Sequence, residues 1–363
     1  MRTLVFWGEG PLARARARAA QGTRVLLWGR CSVLPTDPLL PTADFGPEEA
    51  SRIEEASRRW VENLAERPTE PGRPFRDLYA WEQVPLFPQA RRFFLSAESV
   101  AGRCVRLIEA FRVVLEKELP DEVEASGLLQ DEVRLLERSC TARGVLFQGG
   151  AKSRVPRAGE GLRGALRPGL RDRVRALRSA LPAGRPKLPS GAVVFVRPEE
   201  PSEKAQALER LRRVAAEEMA MRVVAIGGEE GPAPEAFLDE AGRRAVRQAE
   251  AALEKLCRDL SPAPSVAAAF VHDDVGFADL AAASDLQAIL LDRLPRAVRR
   301  AEGLRSVLRQ AEPPAMCALH EDALALAAAR AQGVLVVPFA DPRNGPEVLQ
   351  ALEAATRGAG MVG

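Results

Sequence analysis

A chain of 363 residues and 39.3 kDa is long enough for about two domains of ordinary size. Its composition, 46% hydrophobic, 28% charged and 5% aromatic, is globular and excludes disorder as the main state. Basic and acidic residues nearly balance, 52 against 50, so nothing speaks for a protein that coats nucleic acid.

No apolar run approaches the ~20 residues of a membrane span. The apolar stretch Thr3–Trp7 is too short for a signal core before Gly8-Glu9-Gly10, so the cytoplasm is the expected compartment. Cys31, Cys104, Cys140, Cys257 and Cys317 are odd in number and scattered, which reads as reduced thiols. His272 and His320 have no cysteine or histidine neighbours at ligand spacing, so neither a metal nor another cofactor is expected.

In chain order, an apolar strand at 4–7, the turn Gly8-Glu9-Gly10-Pro11, a helix at 12–20 ending at Gly22 and a strand at 25–28 open a βαβ unit. Residues 35–88 are richer in proline and charge. One helix is predicted there, at 47–64, with Glu48 and Glu49 in its first turn. Beyond Ser96, read as an N-cap, Val100, Cys104, Leu107, Ile108, Phe111, Val114 and Leu115 recur at three- and four-residue spacing until Pro120. That spacing predicts a core-facing helix. A helix carrying Leu129, Val133, Leu136 and Cys140 ends at Gly144, and 145–147 resumes a strand.

Residues 152–187 hold 11 basic and 2 acidic side chains, which leaves 41 against 48 for the rest of the chain. With prolines at 156, 168, 182, 186 and 189 and no strand pattern, 151–190 reads as a connector. Its cations fit peripheral contact with an anionic membrane face. A solvated linker between two acidic domains is the plainer reading.

A second βα series follows. Strands are predicted at 192–196, 222–226, 316–319 and 334–337, and helices at 202–219, 234–260, 277–283, 296–310 and 321–331. Further apolar segments lie at 266–271 and 288–291. The expected architecture is α/β, with two Rossmann-like domains in series at 1–150 and 191–363. No residue repeat is strict enough to establish duplication.

In open parallel sheets ligands bind beyond the carboxyl ends of the strands. Gly8-Glu9-Gly10 is one such loop, but it lacks the third glycine of a dinucleotide site. Trp28-Gly29-Arg30 stands where a ribose-binding acid belongs, so a tight turn without ligand competes with a binding loop. Arg197 and Lys204, just past the strand 192–196, suit a diphosphate, the first by its planar fork and the second as a point charge. Solvated positions at a helix start are the alternative. His272-Asp273-Asp274 reads as an exposed strand-to-helix turn capped by an aspartate, rather than a general base or a cation site, because adjacent strand residues face opposite ways. Ser139 and Ser153 lack the context of a hydrolase nucleophile.

The run from His320-Glu321 through the small-residue helix 323–331, Gly333, the strand 334–338 and Asp341-Pro342-Arg343-Asn344-Gly345-Pro346-Glu347-Val348 resembles the donor-binding domain of B-fold glycosyltransferases. The retaining family 4 type is the nearest. Residues 195–232 resemble that family's strand, Arg and Lys pair, helix and glycine loop, and 8–25 its first βα unit. The resemblance implies that Arg197 and Lys204 meet the nucleotide diphosphate. It places Glu321, Asn344 and Gly345 at the donor's ribose or sugar, and Gly8, Glu9 and Gly10 on the acceptor side. The implied function is sugar transfer from a nucleotide-sugar to a glycan or lipid-linked acceptor, in a bacterial cytoplasmic enzyme that works at the inner membrane face. Residues 313–338 are also similar to the acceptor-side domain of enzymes that make surface carbohydrates or polyol phosphates. In those enzymes the strand leads to a Gln-His-Gly; here Phe339-Ala340-Asp341 stands in its place.

Two departures keep a second reading open. Ala327, Ala328 and Ala329 occupy the place of the family's second glutamate, and no histidine precedes His272. The second reading is a non-catalytic pair of Rossmann-like domains that acts through protein partners.

Overall fold

The computed structural model describes residues 2–29, 43, 45–68, 73–149, 188–198, 202–228, 231–261 and 263–358; the basic connector, Cys31, Glu229 and Glu230 lie outside them. The first half of the chain runs through β1 (Thr3–Trp7), α1 (Leu12–Ala20), β2 (Arg24–Leu27), α2 (Pro47–Glu66) and a 3₁₀ turn (Phe75–Leu78). It continues with the hairpin β3 (Ala80–Trp81) and β4 (Val84–Pro85), then α3 (Phe87–Leu95), α4 (Val100–Glu118), β5 (Glu122–Ser126), α5 (Gln130–Ala142) and β6 (Leu146–Gln148). The second half runs through β7 (Val193–Val196), α6 (Glu203–Glu217), β8 (Val223–Ile226), α7 (Glu240–Leu260) and a short α8 (Pro264–Ala269). Then come the hairpin β9 (Val271–His272) and β10 (Val275–Gly276), α9 (Ala278–Ala288), α10 (Leu294–Ala311), β11 (Ala315–Leu319), α11 (Ala323–Ala331), β12 (Leu335–Phe339) and α12 (Gly345–Gly358). Up to β6 in the first half and β12 in the second, the two halves follow the same series of helices and strands, with α8 at the place of the first half's 3₁₀ turn.

Each half builds a parallel sheet, β2-β1-β5-β6 in the first and β12-β11-β7-β8 in the second. Counted from the start of each half, both strand orders are 2-1-3-4. Parallel neighbours need a crossover, and α1 and α6 supply the first in each sheet. The two central strands of the second sheet, buried on both faces, are apolar runs rather than alternating ones: all of β7 and β11 is buried. The chain is thus an α/β protein with Rossmann-like sheets. In each sheet the order reverses beside the first strand, between β1 and β5 and between β7 and β11.

The described residues divide into two compact units. The first takes 2–79, 87–149 and 256–290, and the second takes 80–86, 188–255 and 291–358. The hairpin β3–β4 therefore belongs to the second unit, and the segment from the end of α7 through α9 belongs to the first. Sequence reasoning had kept each with its own half, because a two-residue strand carries no signal of the core it joins. In the first unit, Ala15 of α1 packs on Val5, Trp7, Val25 and Leu27. Elsewhere in that unit Trp60 meets Phe94, Phe270 and Phe277 at ring separations of 5.6–5.7 Å. In the second unit Leu208 and Leu211 of α6, and Val348 and Leu352 of α12, cover Val193, Phe195, Cys317 and Phe339 of the sheet.

Several local expectations change. The N-cap of α4 is Ser99, whose Oγ accepts from the Gly102 amide at 2.9 Å, whereas Ser96 Oγ donates to the Phe93 carbonyl at 2.7 Å. The apolar segment at 266–271 is mostly the helix α8, begun by Pro264 at its first turn, and only Val271 joins a strand. The segment at 288–291 continues α9 into a π turn (Ile289–Arg293) that leads into α10. Asp273 and Asp274 are not a strand-to-helix cap. Both have positive φ, 50° and 62°, and form the two-residue turn of the β9–β10 hairpin.

Candidate functional site

The loops that leave the carboxyl ends of β7, β8, β11 and β12 bring the predicted donor-site residues to one edge of the second sheet. Arg197 follows β7 directly, and its amide donates to the Ile226 carbonyl at 2.9 Å. Gly227 and Gly228, with φ of 84° and 74°, turn the chain after β8. The absent Cβ of Gly228 leaves room for the Arg197 stem, whose Cδ would lie 3.0 Å from such an atom. Ser202 caps α6 by accepting from the Ala205 amide at 3.0 Å, and this sets Lys204 in the first turn. Across the point where the strand order reverses, the loop after β11 carries Glu321 and Asp322.

Lys204 pairs with Glu321, so two of the residues nominated from sequence meet directly. Both are well exposed. Lys204 also contributes to holding the Asp341 carboxyl below its ordinary value, an effect led by the hydrogen bond from the Arg343 amide. Asn344 and Gly345 follow Asp341 on the same edge: the Asn344 amide donates to the Asp341 carbonyl at 3.0 Å, and Gly345 opens α12. Arg197 is only 13% exposed, and its guanidinium pairs with Glu209 of α6. Burial raises the Glu209 carboxyl, but Arg212 and Arg197 outweigh it and hold it below the ordinary value.

Three participants escaped sequence reasoning. Glu209 takes hydrogen bonds from Arg212 at 2.8 and 2.6 Å in addition to the Arg197 pair. Arg300 of α10 donates to Asp322 at 2.6 Å and to the Arg197 carbonyl at 3.4 Å, which ties the loop after β7 to the loop after β11. Asp322 is at the same time the N-cap of α11, accepting from the Ala325 amide at 3.1 Å. The Asp before an apolar helix was a readable cap signal, but nothing in the sequence joins Arg300 to it over such a separation.

The glycine loop of the first unit is built differently. The amides of Gly8 and Glu9 donate to the carbonyls of Ser126 and Gly127 at 2.8 and 3.0 Å. A Cβ on Gly8 or on Gly127 would collide with the carbonyl of the opposing loop. The glycines at this crossover serve the close approach of two backbones, and those two amides point at protein carbonyls. Gly10 packs against the Trp7 ring.

His272 faces Glu109 of α4, with Nε2 3.5 Å from Oε2, inside the first unit. The four described cysteines are buried free thiols, and burial pushes Cys140 and Cys317 up to about 12, out of reach of thiolate chemistry at neutral pH. Among the described residues no three His, Cys, Asp or Glu side chains gather as metal ligands would, and no helix is long and apolar enough to cross a membrane. No known protein family matches the chain, nor does any curated protein or solved structure.

Proposed function

We propose that the chain is a glycosyltransferase-like protein of the B type, whose second unit receives the diphosphate of a nucleotide-sugar at the carboxyl edge of its sheet. The observation that carries this reading is the meeting of Lys204 and Glu321, which the resemblance assigns to the diphosphate and to the sugar, beside the point where the strand order reverses. In this reading Lys204 is an accessible cation for the diphosphate. The ammonium changes partner from a carboxylate to a phosphate, an exchange that an exposed ion pair worth about 1 kcal/mol or less hardly opposes. Arg197, held by Glu209, adds fixed positive potential for the departing nucleotide diphosphate. Gly8, Glu9 and Gly10 remain the proposed acceptor-side loop, with Glu9 as its one ionisable side chain. The positive excess at 152–187 supports an acceptor embedded in an anionic bilayer.

A second reading, a non-catalytic subunit that binds protein partners, is favoured by one observation. Arg197, Lys204 and Arg300 each already face a carboxylate at this edge. Thermal unfolding in the presence of UDP, GDP, TDP and CDP separates the two. A ligand confined to the folded state adds about 2.7 kcal/mol at a hundredfold excess over Kd. The enzyme reading expects one nucleotide to raise the unfolding temperature. A flat response to all four at millimolar concentration favours the subunit.

A further inference from the structure

The two halves share a buried station as well as a strand order. Glu109 and Arg112 in α4, and Glu302 and Arg305 in α10, stand at the same spacing before the left-handed residue that ends each helix, Leu119 and Glu312. Both glutamates are 2% exposed, and each pairs with the arginine one turn on. A buried carboxylate of this kind needs partners, since burying it alone is far costlier than leaving it in water. In both units the first strand of a hairpin supplies one.

In the second unit Trp81 Nε1 donates to Glu302 Oε1 at 3.0 Å. Arg305 lies over the Trp81 ring, 4.6 Å from its centroid, and pairs with Glu82 in the hairpin turn. In the first unit His272 stands before Glu109, and the next residue, Asp273, pairs with Arg143. Trp81 pairs with Val84 and His272 with Val275, so the two hold the same place in their hairpins. Yet the hairpin in the second unit comes from the first half of the chain, and the hairpin in the first unit from the second half.

We propose that the chain is an internal duplication whose halves have exchanged hairpins, so that each half completes the core of the unit founded by the other. The segment received by the first unit is fixed at several further points. Trp60 Nε1 donates to the Val271 carbonyl at 3.2 Å, and Arg138 donates to the Gly276 carbonyl and to Asp279, both at 2.7 Å. Asp285, fully buried, accepts from Ser99 Oγ at 2.7 Å and from the amides of Val100 and Ala101 at 3.0 and 2.8 Å, closing the N-terminus of α4. Damage to one half of the sequence is therefore felt in the unit named for the other.

Hydrogen exchange of the full-length chain, read by mass spectrometry of peptides, tests this. Trp81→Ala, a change in the first half, is expected to speed exchange in α10 and β11 about tenfold or more while α4, β1 and β5 keep their protection. Asp285→Ala, in the second half, is expected to do the reverse, loosening α4 and sparing α10 and β11. Should Trp81→Ala fail to accumulate as folded protein, Trp81→Phe, which keeps a smaller aromatic ring and loses the donor, is expected to give the same pattern at smaller amplitude. Loosening of α4 and β1 by either Trp81 variant with α10 and β11 intact, or equal loosening of both units, overturns the exchange.

Discussion

Glu109 is a buried residue of the first unit whose charge is held by close partners. Burial pushes its carboxyl up, but the facing His272 and the Arg112 guanidinium outweigh burial and bring it from 4.5 down to about 2. A depressed folded value means that the stability it contributes is complete above about pH 4.5 and is lost as pH falls toward 2. Asp285 in the same unit moves the other way: burial raises it, against its hydrogen bonds from Ala101, Ser99 and Val100, so its protonation favours the folded state. Glu109→Gln is therefore expected to lower the unfolding temperature at pH 7 and to flatten its fall between pH 4.5 and 2. Parallel wild-type and variant curves would show that the pair carries no such dependence. At the candidate site the same physics separates two cations that sequence treated alike. Lys204 is in an exposed pair with Glu321 and Arg197 in a largely buried one with Glu209.

At the scale of elements, the sequence announced long apolar periodicities well. The helix with Val100, Cys104, Ile108 and Phe111 facing inward is present as α4, and the opening strand, turn, helix and strand are β1, α1 and β2. The hairpins were not legible. Their strands have two residues each, too few for alternation, and their turns use Glu82-Gln83 and Asp273-Asp274 in place of the Asn-Gly that signals such a turn. β5 was missed because Glu122 and Glu124 interrupt its apolar character. Glu122 is buried, with Thr3 Oγ1 donating to it at 3.2 Å, and Glu124 is paired with Arg18. The turn that joins β5 to the next helix is an element whose geometry admits only glycine. Gly127 has φ of 71° and its Cβ would strike the Glu9 carbonyl. Gly127→Ala is expected to cost about 2 kcal/mol or more in urea unfolding, with the loss centred on the first unit. A cost under half a kcal/mol would mean that the two loops are not held together as described.

At the scale of the molecule, the α/β class and the two parallel sheets followed from the alternation of strand and helix signals, but the division of the chain did not. Boundaries drawn at a basic connector assume that each half keeps its own residues. The placement of 80–86 and 256–290 involves contacts between residues far apart in sequence, such as Trp81 to Glu302, 221 residues apart. The candidate edge was legible for a simpler reason: in a parallel sheet every loop after a strand points the same way, so residues just past β7, β11 and β12 must gather. What sequence could not supply was the charge balance there, since Glu209 and Arg300 come from helix positions that carry no motif and the cap signal of Asp322 does not name its partner.

The claim that this edge receives a diphosphate rests most directly on Lys204, the exposed cation of the set. Calorimetric titration of the full-length protein and of Lys204→Ala with UDP, GDP, TDP and CDP at moderate salt measures it. The account predicts that one nucleotide binds the wild type and binds Lys204→Ala about tenfold or more weakly, a difference of about 1.4 kcal/mol. Equal affinity for both proteins, or no heat from any of the four with the wild type, would contradict it.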